Sequence, residues 1–380
     1  MKIVIATPLF PPETGSSALY TKELAKRLKE NHSVTILTYA NHTEKIPGVK
    51  IKKVKKNTFL WIRLYSFTRT LIRLAEKADV IYTQRAVAAG LPAILASWLT
   101  KTPVVVNYME DEAWERYLHN NSTPVHQGAF RKIQKIPGSV WSIWHVQHFV
   151  LKHAARILAP SEYISEELAR THKIPKDHFV SCHTMLPKRL HLPFKASKKP
   201  HRIFMYAPLY PWADIETALR ALKLLQSKYK DVELIVAGDG PERLQLQETI
   251  QKLDLEKTVT LLGTASHAEE LYNLKSSSVF LSTATYAEQP SILYNAFREG
   301  VPVVAPDVPG VREGIDHEVT GLLTQPANAT IAAEMIEKVF EDTNLRTELI
   351  ENAKDTYDTN LSWDKHIGTL IHTFNSCNHG

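Results

Sequence analysis

At 380 residues, 44% hydrophobic and 23% charged, the chain is sized for two ordinary globular domains and has the composition of neither a disordered nor a membrane-embedded protein. Its charge is divided: residues 1–180 carry 26 Lys and Arg against 14 Asp and Glu, residues 181–202 add six basic and no acidic residues, and residues 203–380 carry 14 against 26. The opening MKIVIATPLFPP lacks the form of a signal peptide, and the uncharged stretch between Arg85 and Lys101 is 15 residues, broken by Gly90 and Pro92. Two distant cysteines, Cys182 and Cys377, and 17 histidines without ligand spacing point to a reducing cytoplasm and to no metal site.

Along the chain, short apolar runs alternate with amphipathic ones. Lys2–Thr7 reads as a buried parallel strand ending in a proline-rich turn. A helix over Ser17–Glu30 follows, then strands at Ser33–Thr38 and Val49–Val54 and a helix over Phe59–Ala78. Further strands fall at Asp79–Tyr82, Pro103–Tyr108 and Arg156–Ala159, and Ser161 has the place of an N-cap for a helix over Glu162–Thr171. Leu186–His201 is basic, proline-rich and aperiodic, an interdomain linker. The alternation then restarts: strand Arg202–Tyr206, helix Ile215–Tyr229, strand Val232–Ala237, the turn Gly238-Asp239-Gly240-Pro241, helix Glu242–Leu253, strand Val259–Leu262, helix Ala268–Leu274, strand Ser278–Ser282, a helix from about Pro290, and strand Val301–Ala305. The pattern predicts an α/β protein of two doubly wound, Rossmann-like domains facing across a cleft. Residues 1–185 form the first, 186–201 the linker and 202–360 the second, with a last helix over 361–380 packing back on the first.

Particular segments make this more specific. Val236–Ser282, Gly300–Leu323, the first strand and loop TPLFPPETGSSALYTKELAKRL, Ala159–Ser165 (APSEYIS) and the closing Leu361–Trp363 occur in the order and spacing of family 4 glycosyltransferases, which the chain resembles from end to end. The resemblance implies GT-B architecture and transfer of a sugar, with retention, from a nucleoside-diphosphate sugar to a glycan or lipid-linked acceptor. It implies no cofactor beyond the sugar nucleotide, and no nucleic acid is expected as a partner.

Breaking the glycosidic bond builds negative charge on a departing diphosphate, so such a site must present cations or N–H donors to it. The family uses an Arg and a Lys after the first strand of the second domain, a glycine loop in the first, and two Glu. On this sequence the Arg and Lys positions fall on Pro208 and Ala213, the two Glu positions on Ala287 and Asn295, the glycine loop on Gly15-Ser16, and an Asn that closes the first domain on His183. Charge-assisted hydrogen bonds contribute roughly 1.5–3 kcal/mol each, so losing both cations slows transfer by orders of magnitude unless other groups replace them.

Arg85 and Arg116, each beyond a strand end, are candidate replacement cations; the alternative is that they are ordinary surface arginines. Glu288, Gln289, Ser291 and Asn295 flank a helix start and are candidate donor-binding residues, or simple caps. Asp111, in the acidic run Glu110–Glu115, is the candidate catalytic residue, orienting an acceptor hydroxyl or acting as a base. Gly238-Asp239-Gly240-Pro241 lacks the spacing of a phosphate loop and reads as a plain turn.

Six lysines between Lys45 and Lys56, Arg63, Arg69 and Arg73 among Trp61, Tyr65 and Phe67, and Arg131, Lys132 and Lys135 before Trp141, Trp144 and Phe149 suit a peripheral contact with an anionic membrane at the inner face of the plasma membrane. The same pattern also fits core aromatics with solvated cations. The competing functional reading is a catalytically inactive scaffold or glycan-binding subunit. A sugar-nucleotide epimerase is a third, and it too must hold a diphosphate.

Overall fold

The structure, a computed structural model, describes residues 1–13, 15–109, 111–120, 124–133, 137–183, 185, 196–287 and 291–377, with the side chains of Ser16, Ser291 and Ile292 outside that set. The chain divides into two compact units.

The first unit runs through β1 (Lys2–Thr7), α1 (Ser16–Leu28), β2 (Ser33–Tyr39), β3 (Lys50–Val54), α2 (Leu60–Ala75), β4 (Val80–Gln84), α3 (Leu91–Thr100), β5 (Val104–Asn107), α4 (Glu112–Asn120), α5 (Gln127–Phe130), α6 (Gly138–His153), β6 (Arg156–Ala159), α7 (Glu162–His172) and β7 (Phe179–Ser181). Its seven strands are parallel, in the order β3-β2-β1-β4-β5-β6-β7. Side chains alternate across the sheet. Val4 and Ala6 therefore join Phe67, Leu71, Ile94 and Leu151 on one face, while Ile3 and Ile5 join Leu24 and Leu28 on the other. Ser161 caps α7 by accepting the Ile164 N–H at 3.2 Å, as its place in the sequence implies.

The second unit holds β8 (Arg202–Tyr206), α8 (Ile215–Leu225), β9 (Glu233–Ala237), α9 (Arg243–Lys252), β10 (Val259–Gly263), α10 (His267–Ser276), β11 (Val279–Leu281), α11 (Ser291–Glu299), β12 (Val303–Pro306), α12 (Pro309–Arg312), β13 (Leu322–Thr324), α13 (Ala329–Glu341) and α14 (Thr343–Asn360). Its six parallel strands run β10-β9-β8-β11-β12-β13. Of the expected linker, residues 186–195 lie outside the described residues. Lys199 already belongs to the second unit, donating its N–H to the Ser276 carbonyl and accepting from the Ser278 hydroxyl.

The last helix, α15 (Trp363–Ser376), packs in the first unit, where Leu370 and Phe374 are fully buried beside Tyr82 and Leu24. Burial of side chains of this size contributes about 1.5–3 kcal/mol each. A polar relay under the helix fixes its register. His366 bridges the Tyr20 hydroxyl at 2.7 Å and the Cys182 sulfur at 3.2 Å, Tyr20 meets the Tyr82 hydroxyl at 3.1 Å, and Asn107 donates to Tyr82 at 2.7 Å. Trp363 stacks on Tyr20 and carries Arg27 on its ring. Burial pushes the Cys182 thiol up to about 12 and His366 down to about 4, so both are neutral at physiological pH.

Candidate functional site

In an open parallel sheet, ligands sit beyond the carboxyl ends of the strands where the strand order reverses. In the first unit that point lies between β1 and β4, and a cavity of about 680 Å³ opens there. Its wall comes from the segment after β1 (Pro8, Leu9), the end of β2 (Tyr39), the residue Lys56 and the first turns of α2 (Leu60, Trp61, Arg63, Leu64). The turn after β4 (Arg85, Val87, Ala88), helix α4 (Glu112, Glu115, Arg116, His119) and helix α6 (Ile143, Val146) complete it.

Two carboxylates of α4 line the cavity. Glu112 accepts the backbone N–H groups of Val87 at 2.5 Å and Ala88 at 3.2 Å, which ties the turn after β4 to the start of α4. Burial raises the Glu112 carboxyl above its usual range, against those two hydrogen bonds and the nearby Arg85. Arg85 itself has a positive φ of 68°, uncommon for a residue with a long side chain. Its guanidinium donates twice to Glu115, at 3.0 and 3.3 Å, which holds the strained turn in place.

Arg85 and Arg116, chosen separately from the sequence, thus line one cavity. Arg85 is committed to Glu115, whereas Arg116 forms no ion pair among the described residues. Arg63 and Lys56 reach the same space, although the sequence singled them out only as part of a basic, aromatic stretch. Lys56 pairs with Glu13 at 2.8 Å. Arg63 lies over the Tyr39 ring and donates to the Lys56 carbonyl, and it too has no carboxylate partner among the described residues.

Asp111 is placed differently. It is 2% exposed, and its Oδ1 accepts from the N–H groups of Ala113 and Trp114 and from Gln147 Nε2, all at 3.1–3.2 Å; Arg131 stands 3.9 Å from Oδ2. It therefore caps α4 and anchors it to α6. Beside it, burial holds His172 down at about 4 despite the pull of the Asp111 charge. Gly15 precedes α1 with φ 148°, a backbone state that glycine adopts freely, and no side chain caps this helix.

In the second unit the order reverses between β8 and β11, and the segment after β8 carries Pro208 and Ala213. Pro208 is exposed; Ala213 is 3% exposed and accepts from the Thr283 hydroxyl, while Trp212 accepts the Thr285 N–H. Asp214 keeps a left-handed backbone, φ 48° and ψ 47°, which Asp tolerates better than most residues. The turn Gly238–Gly240 presses on this segment: a Cβ on Gly238 would lie 1.9 Å from the Ala207 carbonyl oxygen, and one on Gly240 would lie 2.5 Å from that of Leu209. Asn295 accepts from Arg298 Nη2 at 3.0 Å. Glu288 and Gln289 lie outside the described residues, as does the Ser291 side chain.

Two family patterns fall on the two halves: residues 15–183 match "Glycosyl transferase 4-like domain" and residues 189–356 match "Glycosyl transferases group 1". The chain belongs to the family 4 glycosyltransferases. This glycosyltransferase-like protein is 25% identical over 278 residues to an alpha-D-kanosaminyltransferase of Streptomyces kanamyceticus, spanning 70% of this chain and 68% of the relative. It is 22% identical to the N-acetyl-alpha-D-glucosaminyl L-malate synthase of Bacillus anthracis over 94% of this chain and 92% of that one. Among solved structures, Anabaena HepE in complex with UDP aligns with TM-score 0.71 at 17% identity, covering 99% of this chain and 100% of that one; the same protein is also described with UDP-glucose. At that identity the likeness establishes the shared fold, the GT-B class of two Rossmann-like domains. Among the described residues no helix of this glycosyltransferase-like protein is long and apolar enough to cross a membrane.

Proposed function

We propose that the protein takes a nucleoside-diphosphate sugar through its second unit and a glycan or lipid-linked acceptor through its first. It would work as a peripheral protein at the inner face of the plasma membrane. The observation that carries this reading is the cavity at the β1/β4 reversal point, walled by residues from six separate segments and furnished with cations. On the donor side, Gly15 with the uncapped start of α1, Glu288, Gln289, Ser291 and Asn295 are the residues assigned to the sugar nucleotide. With Pro208 and Ala213 in place of cations, the diphosphate loses roughly 3–6 kcal/mol of charge-assisted bonding, about 10²- to 10⁴-fold in rate. Arg85 and Arg116 are the cations the first unit offers to an anionic ligand.

A second reading, a non-catalytic subunit that binds a glycan or supports an active partner, is favoured by one specific observation: all four charged donor positions are changed, to Pro208, Ala213, Ala287 and Asn295. Calorimetric titration with a panel of nucleoside diphosphates separates the two. Micromolar binding of one base supports the transferase, whereas no binding to any of them leaves the scaffold. Membrane contact is supported by Phe59, Trp61 and Tyr65, which are 83, 77 and 66% exposed beside the lysines of β3. It is tested by sedimentation with vesicles of anionic and of zwitterionic lipid at low salt; equal retention by both, or by neither, removes it.

A further inference from the structure

The walls of the first-unit cavity are of two kinds. Its cations are Lys56, Arg63, Arg85 and Arg116, set against the carboxylates of Glu112 and Glu115. Arg85 and Lys56 are neutralised locally, by Glu115 and Glu13, which leaves the guanidinium groups of Arg63 and Arg116 without a carboxylate among the described residues. The rest of the lining is largely apolar, and the apolar surface does not stop at the cavity. Leu60 and Trp61, 58 and 77% exposed, pass from the cavity wall onto an outer surface that also carries Phe59 and Ile62.

Each simpler ligand satisfies only half of this. A free phosphate would meet the two guanidinium groups and leave the tryptophan and leucines facing water. A neutral lipid or glycoside would cover the apolar wall while desolvating two uncompensated charges. A planar guanidinium matches phosphate oxygens through paired N–H donors, and an aromatic side chain suits the first carbons of a hydrocarbon chain.

We infer that this cavity is the acceptor site for an anionic amphiphile: a lipid-linked acceptor whose phosphate or diphosphate is gripped by Arg63 and Arg116 while its hydrocarbon chain leaves over Trp61 and Leu60 toward the membrane. This rests on the reading of the protein as a glycosyltransferase-like enzyme or scaffold with its acceptor side in the first unit, and it fixes the chemical class of that acceptor. It also assigns Arg116 to the acceptor rather than to the diphosphate of the donor.

The test uses the full chain and a soluble probe, farnesyl phosphate below its micelle concentration, with farnesol, inorganic diphosphate and UDP as comparisons, followed by tryptophan fluorescence. Farnesyl phosphate is expected to bind at least about ten-fold more tightly than farnesol or inorganic diphosphate. Arg116→Ala and Arg63→Ala are each expected to weaken it by about ten-fold or more, with Arg116→Lys keeping part of the affinity. Trp61→Ser is expected to weaken farnesyl phosphate without changing inorganic diphosphate, read by calorimetry. Circular dichroism confirms that each variant is folded, and Arg116→Lys serves where an alanine variant is not. Equal affinity for farnesol and farnesyl phosphate overturns the inference, as does unchanged binding in the folded Arg63 and Arg116 variants. Saturating competition by UDP also overturns it, because the cavity would then hold donor phosphates. UDP binding that does not compete reports on the donor side alone, so a failure there leaves this result standing.

Discussion

Acidification is expected to loosen the final helix through His366. Burial between Tyr20, Cys182 and Trp363 lowers this histidine from 6.5 to about 4 in the folded chain. Between those values the unfolded or locally opened chain binds a proton that the folded chain refuses. Stability therefore falls as pH drops from about 6.5 and levels off below about 4. At about 1.4 kcal/mol per pH unit, the change from pH 7 to pH 5 removes about 2 kcal/mol, equal to a 20- to 30-fold rise in opening. His172, lowered to the same value by burial near α6, adds a similar contribution to global unfolding, but it is not part of the α15 contact. Glu112, raised by burial, acts in the opposite sense and gains as acid is added. The clean measurement is hydrogen exchange of the α15 amides at the two pH values, corrected for intrinsic rates, in the wild type and in His366→Phe. The variant sacrifices two hydrogen bonds at either pH, yet its protection should change about 20- to 30-fold less between them. If wild type and variant lose protection in parallel, the histidine is not the titrating group and the buried relay has been misjudged.

Asp111→Ala should cost about 1–3 kcal/mol, because it uncaps α4 and strands the Gln147 amide, whereas Asp111→Asn should keep most of that stability; urea midpoints of the two variants check this, and a stable Asn variant that loses transfer would mark a chemical role for the carboxylate. Gly238→Ala is expected to displace the Ala207–Leu209 segment, since its new methyl would meet a carbonyl oxygen at 1.9 Å, and to lower the melting temperature by several degrees while weakening UDP binding. Pro208→Arg returns a guanidinium to an exposed position of the donor segment and should tighten UDP by about ten-fold or more in calorimetry; an unchanged affinity would mean that the segment does not face the diphosphate.

Much of the fold was legible because the strands are short, doubly buried apolar runs and the helices between them have one apolar face. Lys2–Thr7, Ser33–Thr38 and Arg202–Tyr206 were read almost to the residue, and Ser161 announced its helix. Helix α6 was not assigned: its sequence GSVWSIWHVQHFVLKH has aromatic and histidine residues on several sides, and with Gln147 among its buried residues no 3.6-residue stripe stands out. Strand β13 has only three residues, too few for any period to show. The site was legible in part. Arg85 and Arg116 could be placed beyond strand ends, but nothing local reveals that a residue as distant as Arg63 shares their cavity. The environment of Asp111 depended on Gln147 and Arg131, which no spacing rule connects to it. The two glycines of Gly238–Gly240 read only as a turn, since the backbone they must clear belongs to a segment some thirty residues earlier.

The docking of α15 has a consequence for biosynthesis. The amino-terminal unit closes one face of its sheet with Leu370 and Phe374, side chains that leave the ribosome after the entire second unit has been made. Until then Tyr82, Leu24 and the Tyr20 hydroxyl lack the cover of α15, so the first unit is finished only after the second has been made. A nascent chain stalled before residue 363 would present a sticky, half-completed domain to chaperones, and any excised version of that half will need its final fourteen-residue helix supplied to become whole.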